Sequence, residues 1–279
     1  MKPSQAQQLE DADLVFWMGH ELESFLEKPL EAIATSAHVV KLIDSGNLKK
    51  IKMREGGMFD AHAHDEHEGH DDHDEHEGHD DHDEHKGHDD HDEHEGHDDH
   101  HDHGHGEFDI HVWLDPENAK VLVNEIKLAL IEKDPSNASI YEANSKKINL
   151  KLDQLIDEVS SKLESEKGKG YVVFHDAYQY FEEQFGMSAV GSITVSPEVV
   201  PGANRIRELK EKIVDLNATC VFSEPQFEPK LVSTVIEGTQ ANTGVLDPLG
   251  ASIKDGPELY FTLIRNMANS LQDCLSKKS

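Results

Sequence analysis

The sequence has little positive charge, no long apolar run and no catalytic signature. Each of these absences excludes or disfavours a class of protein. It has 26 Lys and Arg against 57 Asp and Glu, a net charge of −31. A basic footprint for nucleic acid is therefore absent, and an anionic membrane surface would repel the chain. No run of about 18 apolar residues exists, so the sequence predicts no transmembrane helix. Its first residues, MKPSQAQQLEDADL, lack the apolar core of a signal peptide, so the polypeptide as written is expected to stay in the cytoplasm.

The sequence contains no H-E-x-x-H zinc-protease motif, no G-x-S-x-G nucleophile turn and no glycine-rich phosphate loop. The chain is therefore predicted not to be an enzyme. A zinc hydrolase is the alternative, and it is disfavoured because no general base or open substrate site can be named.

Cysteine is scarce, with Cys220 before an apolar run and Cys274 near the end of the chain. Two well-separated cysteines indicate one disulfide, which would oppose the cytoplasmic interpretation. Two unpaired thiols are the alternative, because the sequence does not show the compartment.

What the sequence has in abundance is histidine, arranged in a nine-residue repeat. HDDHDEHEG runs from His70 with small variations, and a degenerate copy ends at Gly106. Residues 60–109 carry −22 of the total charge of −31. Imidazole and carboxylate are ligands for transition metals, so the repeat predicts metal binding, with a passive spacer as the alternative. Seventeen of the 21 histidines lie here: His62, His64, His67, His70, His73, His76, His79, His82, His85, His88, His91, His94, His97, His100, His101, His103 and His105.

This histidine-rich insert, residues 61–107, is too acidic and too poor in apolar residues to form a core, so it is expected to be disordered and solvated. Ordering such a segment around a cation costs backbone entropy. We therefore expect its sites to be weak and exchangeable, with the tightest site elsewhere.

The rest of the chain, about 230 residues, is large enough for one large or two small domains. Strands alternate with helices, which predicts an α/β fold of two lobes with parallel sheets joined by a long rigid helix. The predicted organisation is an incomplete N-terminal lobe over 1–134, a connecting helix over 135–168 and a C-terminal lobe over 169–279. Asp115 and Pro116 indicate the start of a helix, and a short helix over Glu21–Glu27 is expected to stop before Pro29.

Three residues outside the insert are candidate metal ligands because of their positions. His175 ends the strand YVVF, Asp247 follows the strand TGVL, and His111 lies in DIHVWLDP just after the insert. In open parallel sheets, ligands bind beyond the carboxyl ends of the strands. Each residue also has a structural interpretation. The histidines could be hydrogen-bonded structural residues, and Asp247 could cap a turn. His20, which follows a strand and a glycine, is a weaker candidate.

Together, WLDP after a histidine-rich acidic segment, GYVVFHDAYQYFEEQFG, SPEVVPGANRIREL, ATCVFSEPQF and GVLDPLG resemble the periplasmic zinc-binding protein of bacterial ABC zinc importers (ZnuA type). The resemblance covers essentially the whole chain. It implies two α/β lobes with Zn²⁺ between them, bound by His111 and His175. Asp247 matches a metal ligand of manganese-type relatives, so the resemblance also implies Asp247 as a metal ligand here. Cys220 and Cys274 match the family's disulfide.

The resemblance also implies a function, which is high-affinity capture of Zn²⁺ in the periplasm, as a monomer, and delivery of the ion to the membrane permease of an ABC importer. The alternative is a zinc buffer or metallochaperone whose main reservoir is the histidine-rich insert. Family members carry a signal peptide and a first histidine ligand before a segment that matches Met1–Gln5. We therefore expect the signal peptide and that ligand to lie upstream of Met1.

Overall fold

The computed structural model describes residues 1–54, 59, 108–194, 202–215, 218–227 and 229–277. Helices and strands alternate along this part of the chain, and every strand pairing in it is parallel. The elements are α1 (Pro3–Glu10), β1 (Leu14–Trp17), α2 (His20–Ile33), β2 (His38–Lys41), α3 (Pro116–Lys133), α4 (Ala138–Leu163), β3 (Tyr171–His175), α5 (Gln179–Phe185), β4 (Gly191–Thr194), α6 (Ala203–Asp215), β5 (Cys220–Ser223), α7 (Pro229–Ile236), β6 (Asn242–Val245) and α8 (Leu259–Leu275).

The strands form two separate sheets. β1 and β2 pair in parallel, and Leu14 lies opposite His38. The second sheet has four strands in the order β4-β3-β5-β6. Short parallel strands need crossover helices between them, which explains the β–α alternation along the sequence. The predicted α/β class, with parallel sheets joined by a long helix, is confirmed, whereas the domain limits 1–134, 135–168 and 169–279 stay predictions.

The central strand β3 is apolar on both faces because helices cover the second sheet on both sides. Tyr171 and Val173 belong to the core that includes α4, α5 and α8, whereas Val172 and Phe174 belong to the core that includes α6 and α7. Successive side chains of a strand point to opposite faces, so a continuous apolar run fills both cores. His175 ends this run at the carboxyl edge of the sheet.

The long helix α4 has 26 residues and would measure about 39 Å at 1.5 Å per residue. The C-terminal part of its apolar stripe is almost completely buried, with Leu152 1% exposed and Leu155, Val159 and Leu163 0% exposed. Lys151 donates to Glu258, the residue just before α8, and Lys162 donates to Asn269 in the middle of α8. The helix therefore packs along α8 and holds the second sheet to the rest of the chain.

Helix α3 begins as the sequence predicts, since Pro116 occupies its first turn and the Asp115 carboxylate accepts from Glu117 N at 2.8 Å. The expectation for α2 was wrong. That helix does not stop before Pro29 but continues to Ile33, with a break in helical geometry earlier, at Glu23. Leu30 and Ala34 are buried at 7% and 4% exposure, and burial of these apolar residues offsets the hydrogen bond that proline cannot donate.

Cys220 and Cys274 form a disulfide, with their Cα atoms 6.1 Å apart. The predicted pairing is confirmed, and it fastens β5 in the middle of the second sheet to the last turn of α8. Within the described residues, no helix is both long enough and apolar enough to cross a membrane.

Candidate metal centre

His175 lies at the end of β3, next to the end of β5, which is its neighbour in the sheet. Glu224 follows β5 directly, so its side chain reaches the same edge of the sheet. The His175 Nδ1 atom lies 2.7 Å from Glu224 Oε1, and the glutamate side chain is only 1% exposed. The carboxylate is an acceptor, so Nδ1 donates and Nε2 keeps its lone pair for a metal ion.

Tyr178 supports the same carboxylate from the turn before α5. Its hydroxyl donates to Glu224 Oε1 at 3.0 Å. Burial raises the pKa of Tyr178 well above its ordinary value, and the nearby Glu224 carboxylate raises it further. The phenol therefore stays protonated and remains a donor, which fixes Glu224 and through it the imidazole of His175.

His111 is oriented in the same way by a carboxylate in its own segment. Its Nδ1 lies 2.6 Å from Asp109 Oδ1, which also accepts from the His111 backbone N at 2.9 Å. The other oxygen of Asp109 accepts from Gln179 Nε2 at 3.1 Å. A short 3-10 helix, Val112–Leu114, then carries two fully buried apolar side chains into the core and anchors the segment.

The fold brings His111 and His175 together although they are far apart in sequence. Their ring centroids are 5.4 Å apart and the rings meet edge to face at 61°. Both side chains keep some access to solvent, at 16% and 11% exposure. Both histidines are thus bonded at Nδ1 to a buried carboxylate, which is a common arrangement for histidines that bind zinc through Nε2.

Asp247 lies in the turn after β6, where its Oδ1 accepts from Gly250 N at 2.9 Å and from Leu249 N at 3.1 Å. Gln226 Nε2 also donates to it, at 3.1 Å. In the part of the chain that the structure describes, no group of three or more His, Cys, Asp or Glu side chains is arranged to hold a metal ion. Asp247 as a ligand therefore stays a prediction, and the capping role is the one seen.

Trp113 connects the two sides of the site. Its ring lies 5.3 Å from that of His111, and its Nε1 donates to Pro248 O, in the Asp247 turn, at 2.9 Å. Tyr260 Oη donates in turn to Trp113 O at 2.8 Å. The turn that carries Asp247 is thus tied to the segment that carries His111.

The remaining histidine predictions have different outcomes. His20 begins α2, and its Nδ1 lies 2.9 Å from Glu27 Oε2. The histidines from His62 to His105, predicted to bind metal weakly, lie outside the described residues. Sequence reasoning did not name Asp109 and Glu224. Glu224 follows the apolar run that begins at Cys220, so the strand-end rule that pointed to His175 also applies to it.

Two adjacent histidines, each bonded at Nδ1 to a buried carboxylate, are typical of a metal-binding protein, and comparisons with known proteins agree with that class. The family described as "Zinc-uptake complex component A periplasmic" matches residues 1–274. The high-affinity zinc uptake system protein ZnuA of Brucella suis biovar 1 (strain 1330) is 58% identical over 277 residues, covering 99% of this chain and 81% of that protein. The chain belongs to this periplasmic zinc-uptake family.

Solved structures support the fold. A crystal structure of ZnuA aligns with a TM-score of 0.71 at 21% identity, over 98% of this chain and 84% of that one. A zinc-bound ZnuA deletion mutant aligns with a TM-score of 0.70 at 20% identity, over 100% and 84% of the two chains. The family resemblance, the prediction of a transport component rather than an enzyme, and zinc as the family's ion are confirmed.

Proposed function

We propose that this chain captures Zn²⁺ with high affinity in the periplasm and delivers it to the membrane permease of an ABC zinc importer. The observation that supports this most directly is the pair His111 and His175, each held at Nδ1 by a buried carboxylate. Preoriented imidazoles lose little freedom on binding a cation, which favours tight capture. The kinship with high-affinity zinc uptake proteins supports the same function.

Two imidazoles supply half of a tetrahedral Zn²⁺ site. We propose Asp247 as a third ligand, because its turn is joined to the His111 segment through Trp113 and Pro248. The carboxylate would exchange its hydrogen bonds from Leu249 and Gly250 for the ion. Water, or a histidine from another part of the protein, would complete the coordination.

Competition titration with a zinc chelator tests the ligand assignment. Outer-shell changes typically weaken metal binding by about 10–100-fold, so loss of two ligands should exceed that range. The His111→Ala, His175→Ala double variant should therefore lose the tight site. His38→Ala is the matched control, because His38 is an exposed histidine at the start of β2. Unchanged tight-site affinity in the double variant would exclude the assignment.

A zinc buffer is a second candidate function, favoured by the 17 histidines of the insert. The two functions differ in stoichiometry: one tight ion for the transport component, several weak ions that dominate for the buffer. Deleting residues 61–106 separates them. The flanks of the insert already meet, since Lys52 and Phe108 form an antiparallel bridge and Asp109 N donates to Ile51 O at 2.8 Å. The shortened chain can therefore close without disturbing Asp109.

Calorimetry on this deletion variant should show one tight site and none of the weak ones. Disappearance of the tight site with the insert would favour the buffer. For delivery, this protein exported to the periplasm should restore growth of zinc-starved cells that lack their own zinc-binding component, and the double histidine variant should not. Gel filtration with light scattering checks the proposed monomeric state.

A further inference from the structure

Arg54 is a partly buried arginine whose described partners lie outside the set of candidate metal ligands. Its Nε donates to Asp176 Oδ2 at 3.0 Å and its Nη2 donates to Asp176 Oδ1, so the pair is bidentate. Its Nη1 donates to Glu182 Oε2 at 2.7 Å. The guanidinium also lies over the ring of Phe59, 3.9 Å from the centroid. Such a fixed fork is a role that lysine cannot reproduce.

The partners of Arg54 belong to the structure that presents His175. Asp176 is the next residue after His175 and begins the turn between β3 and α5. Glu182, in α5, uses its other oxygen to accept from Tyr171 Oη at 3.0 Å and from Ala189 N at 3.1 Å. Arg54 therefore ties the His175 turn to α5, and Glu182 ties α5 back to the start of β3.

The segment that carries Arg54 is also bonded to the support of His111. Ile51 N donates to Tyr180 Oη at 3.0 Å, and Tyr180 Oη donates to Asp109 O at 2.7 Å. Asp109 in turn holds His111. Residues 51–54 are thus bonded to the segments that carry both histidines. Ile51 reaches Asp109, which holds His111, through Tyr180, and Arg54 bonds to Asp176, the neighbour of His175 in the chain.

We propose that Arg54 is a positioning residue for the metal centre: its bidentate hold on Asp176 fixes the turn that presents His175 to the ion. This inference rests on the proposed function, in which His175 binds zinc. It assigns Arg54 no contact with the ion.

The sign of the effect separates positioning from plain electrostatics. A positive charge near a cation site disfavours cation binding, so electrostatics alone predicts tighter zinc binding when Arg54 is removed. Positioning predicts weaker binding. Arg54→Lys keeps the charge and loses the fork. The Arg54→Met, Glu182→Gln double variant also preserves the net charge of Arg54, Asp176 and Glu182, and it removes the bidentate bond to Asp176.

The experiment measures zinc affinity by chelator competition, at a temperature where each variant is folded. Arg54→Lys and the double variant should both bind zinc about tenfold more weakly, the lower end of the range for outer-shell changes. Their Co²⁺ complexes should show an altered d–d absorption spectrum, which reports ligand geometry. Ile213→Ala, in the core between the second sheet and α6, is the control: it should lower the thermal midpoint without changing affinity or spectrum.

If the Arg54→Met, Glu182→Gln double variant does not fold, Arg54→Lys carries the test. Unchanged or tighter zinc binding in folded Arg54→Lys overturns the proposal, as does full recovery of affinity in the double variant. The His111→Ala, His175→Ala variant, run in the same assay, keeps the two proposals apart. If the double histidine variant loses the tight site and Arg54→Lys binds zinc as the wild type does, only the positioning role of Arg54 is refuted. If the double histidine variant keeps the tight site, the assignment of His111 and His175 as ligands is refuted.

Discussion

Glu224 offers the sharpest test of the candidate metal centre. Its Oε1 accepts from His175 Nδ1 at 2.7 Å and from Tyr178 Oη at 3.0 Å, and its side chain is 1% exposed. In Glu224→Gln the amide oxygen can still accept both bonds, but the charge is lost. Charge-assisted hydrogen bonds are about twice as strong as neutral ones, a difference of about 1–1.5 kcal/mol for the imidazole bond.

A loss of about 1.4 kcal/mol corresponds to about a tenfold change in an equilibrium constant. Glu224→Gln should therefore weaken Zn²⁺ binding by about tenfold. Glu224→Leu should approach a hundredfold, because nothing then orients the imidazole of His175. It should also destabilise the fold by about 1–3 kcal/mol, because the buried His175 Nδ1–H loses its acceptor, whereas Tyr178 Oη keeps a longer bond to Leu246 O at 3.5 Å.

Chelator competition measures both affinities, and chemical denaturation of the zinc-free protein measures stability. Glu166→Gln is a suitable control because Glu166 is another buried glutamate, bonded to Ser165 at 2.8 Å and Lys169 at 2.6 Å rather than to a histidine. It should leave zinc affinity unchanged. If Glu224→Gln and Glu224→Leu both bind zinc within twofold of the wild type, the carboxylate does not support the ligand and the reasoning is refuted.

Three further predictions concern other parts of the chain. Replacing Cys220 and Cys274 by alanine opens a 54-residue span and should lower the free energy of unfolding by about 4 kcal/mol, read from urea denaturation; equal stability of the two proteins would contradict this. Zinc bound by the insert should dissociate as pH falls through about 6.5, the ordinary pKa of histidine, or slightly above it, because neighbouring carboxylates raise that pKa. Zinc titrations of the full chain and of the 61–106 deletion variant at several pH values check this. Hydrogen bonds, the strongest from Ser136, lower the pKa of Asp134 from 3.8 to about 2, so its stabilising contribution is complete above pH 3.8 and is lost as pH falls through 2. Asp134→Asn should therefore make the thermal midpoint depend less on pH between these two values. An unchanged pH dependence of the midpoint would argue against this role.

Elements set by neighbouring residues were predictable from the sequence. Asp115 caps α3, Pro116 occupies its first turn, and the apolar run before His175 forms a strand buried on both faces. Pro29 is the exception, because its local preference to end a helix opposes the burial of Leu30, which no rule about neighbouring residues includes.

The candidate site was predictable only in part. The strand-end rule located His175, and the motif around His111 located the second imidazole. Their carboxylate partners differ in how far they could be foreseen: Asp109 is two residues from His111, whereas Glu224 is 49 residues from His175. Arg54 and Asp176, 122 residues apart, lie beyond any sequence spacing rule.

By itself, the sequence determined the α/β alternation, the start of α3, the histidine-rich insert and the candidate ligands, because these depend on side-chain chemistry and on contacts within a few residues. Only the tertiary structure decided that His111 and His175 meet with their rings 5.4 Å apart, and which groups hold them. The physical reason is that the pairing of β3 with β5 and the bonds from Gln179 and Tyr180 in α5 to Asp109 bring distant segments together. The strength of a metal site depends on that arrangement as much as on the ligands themselves.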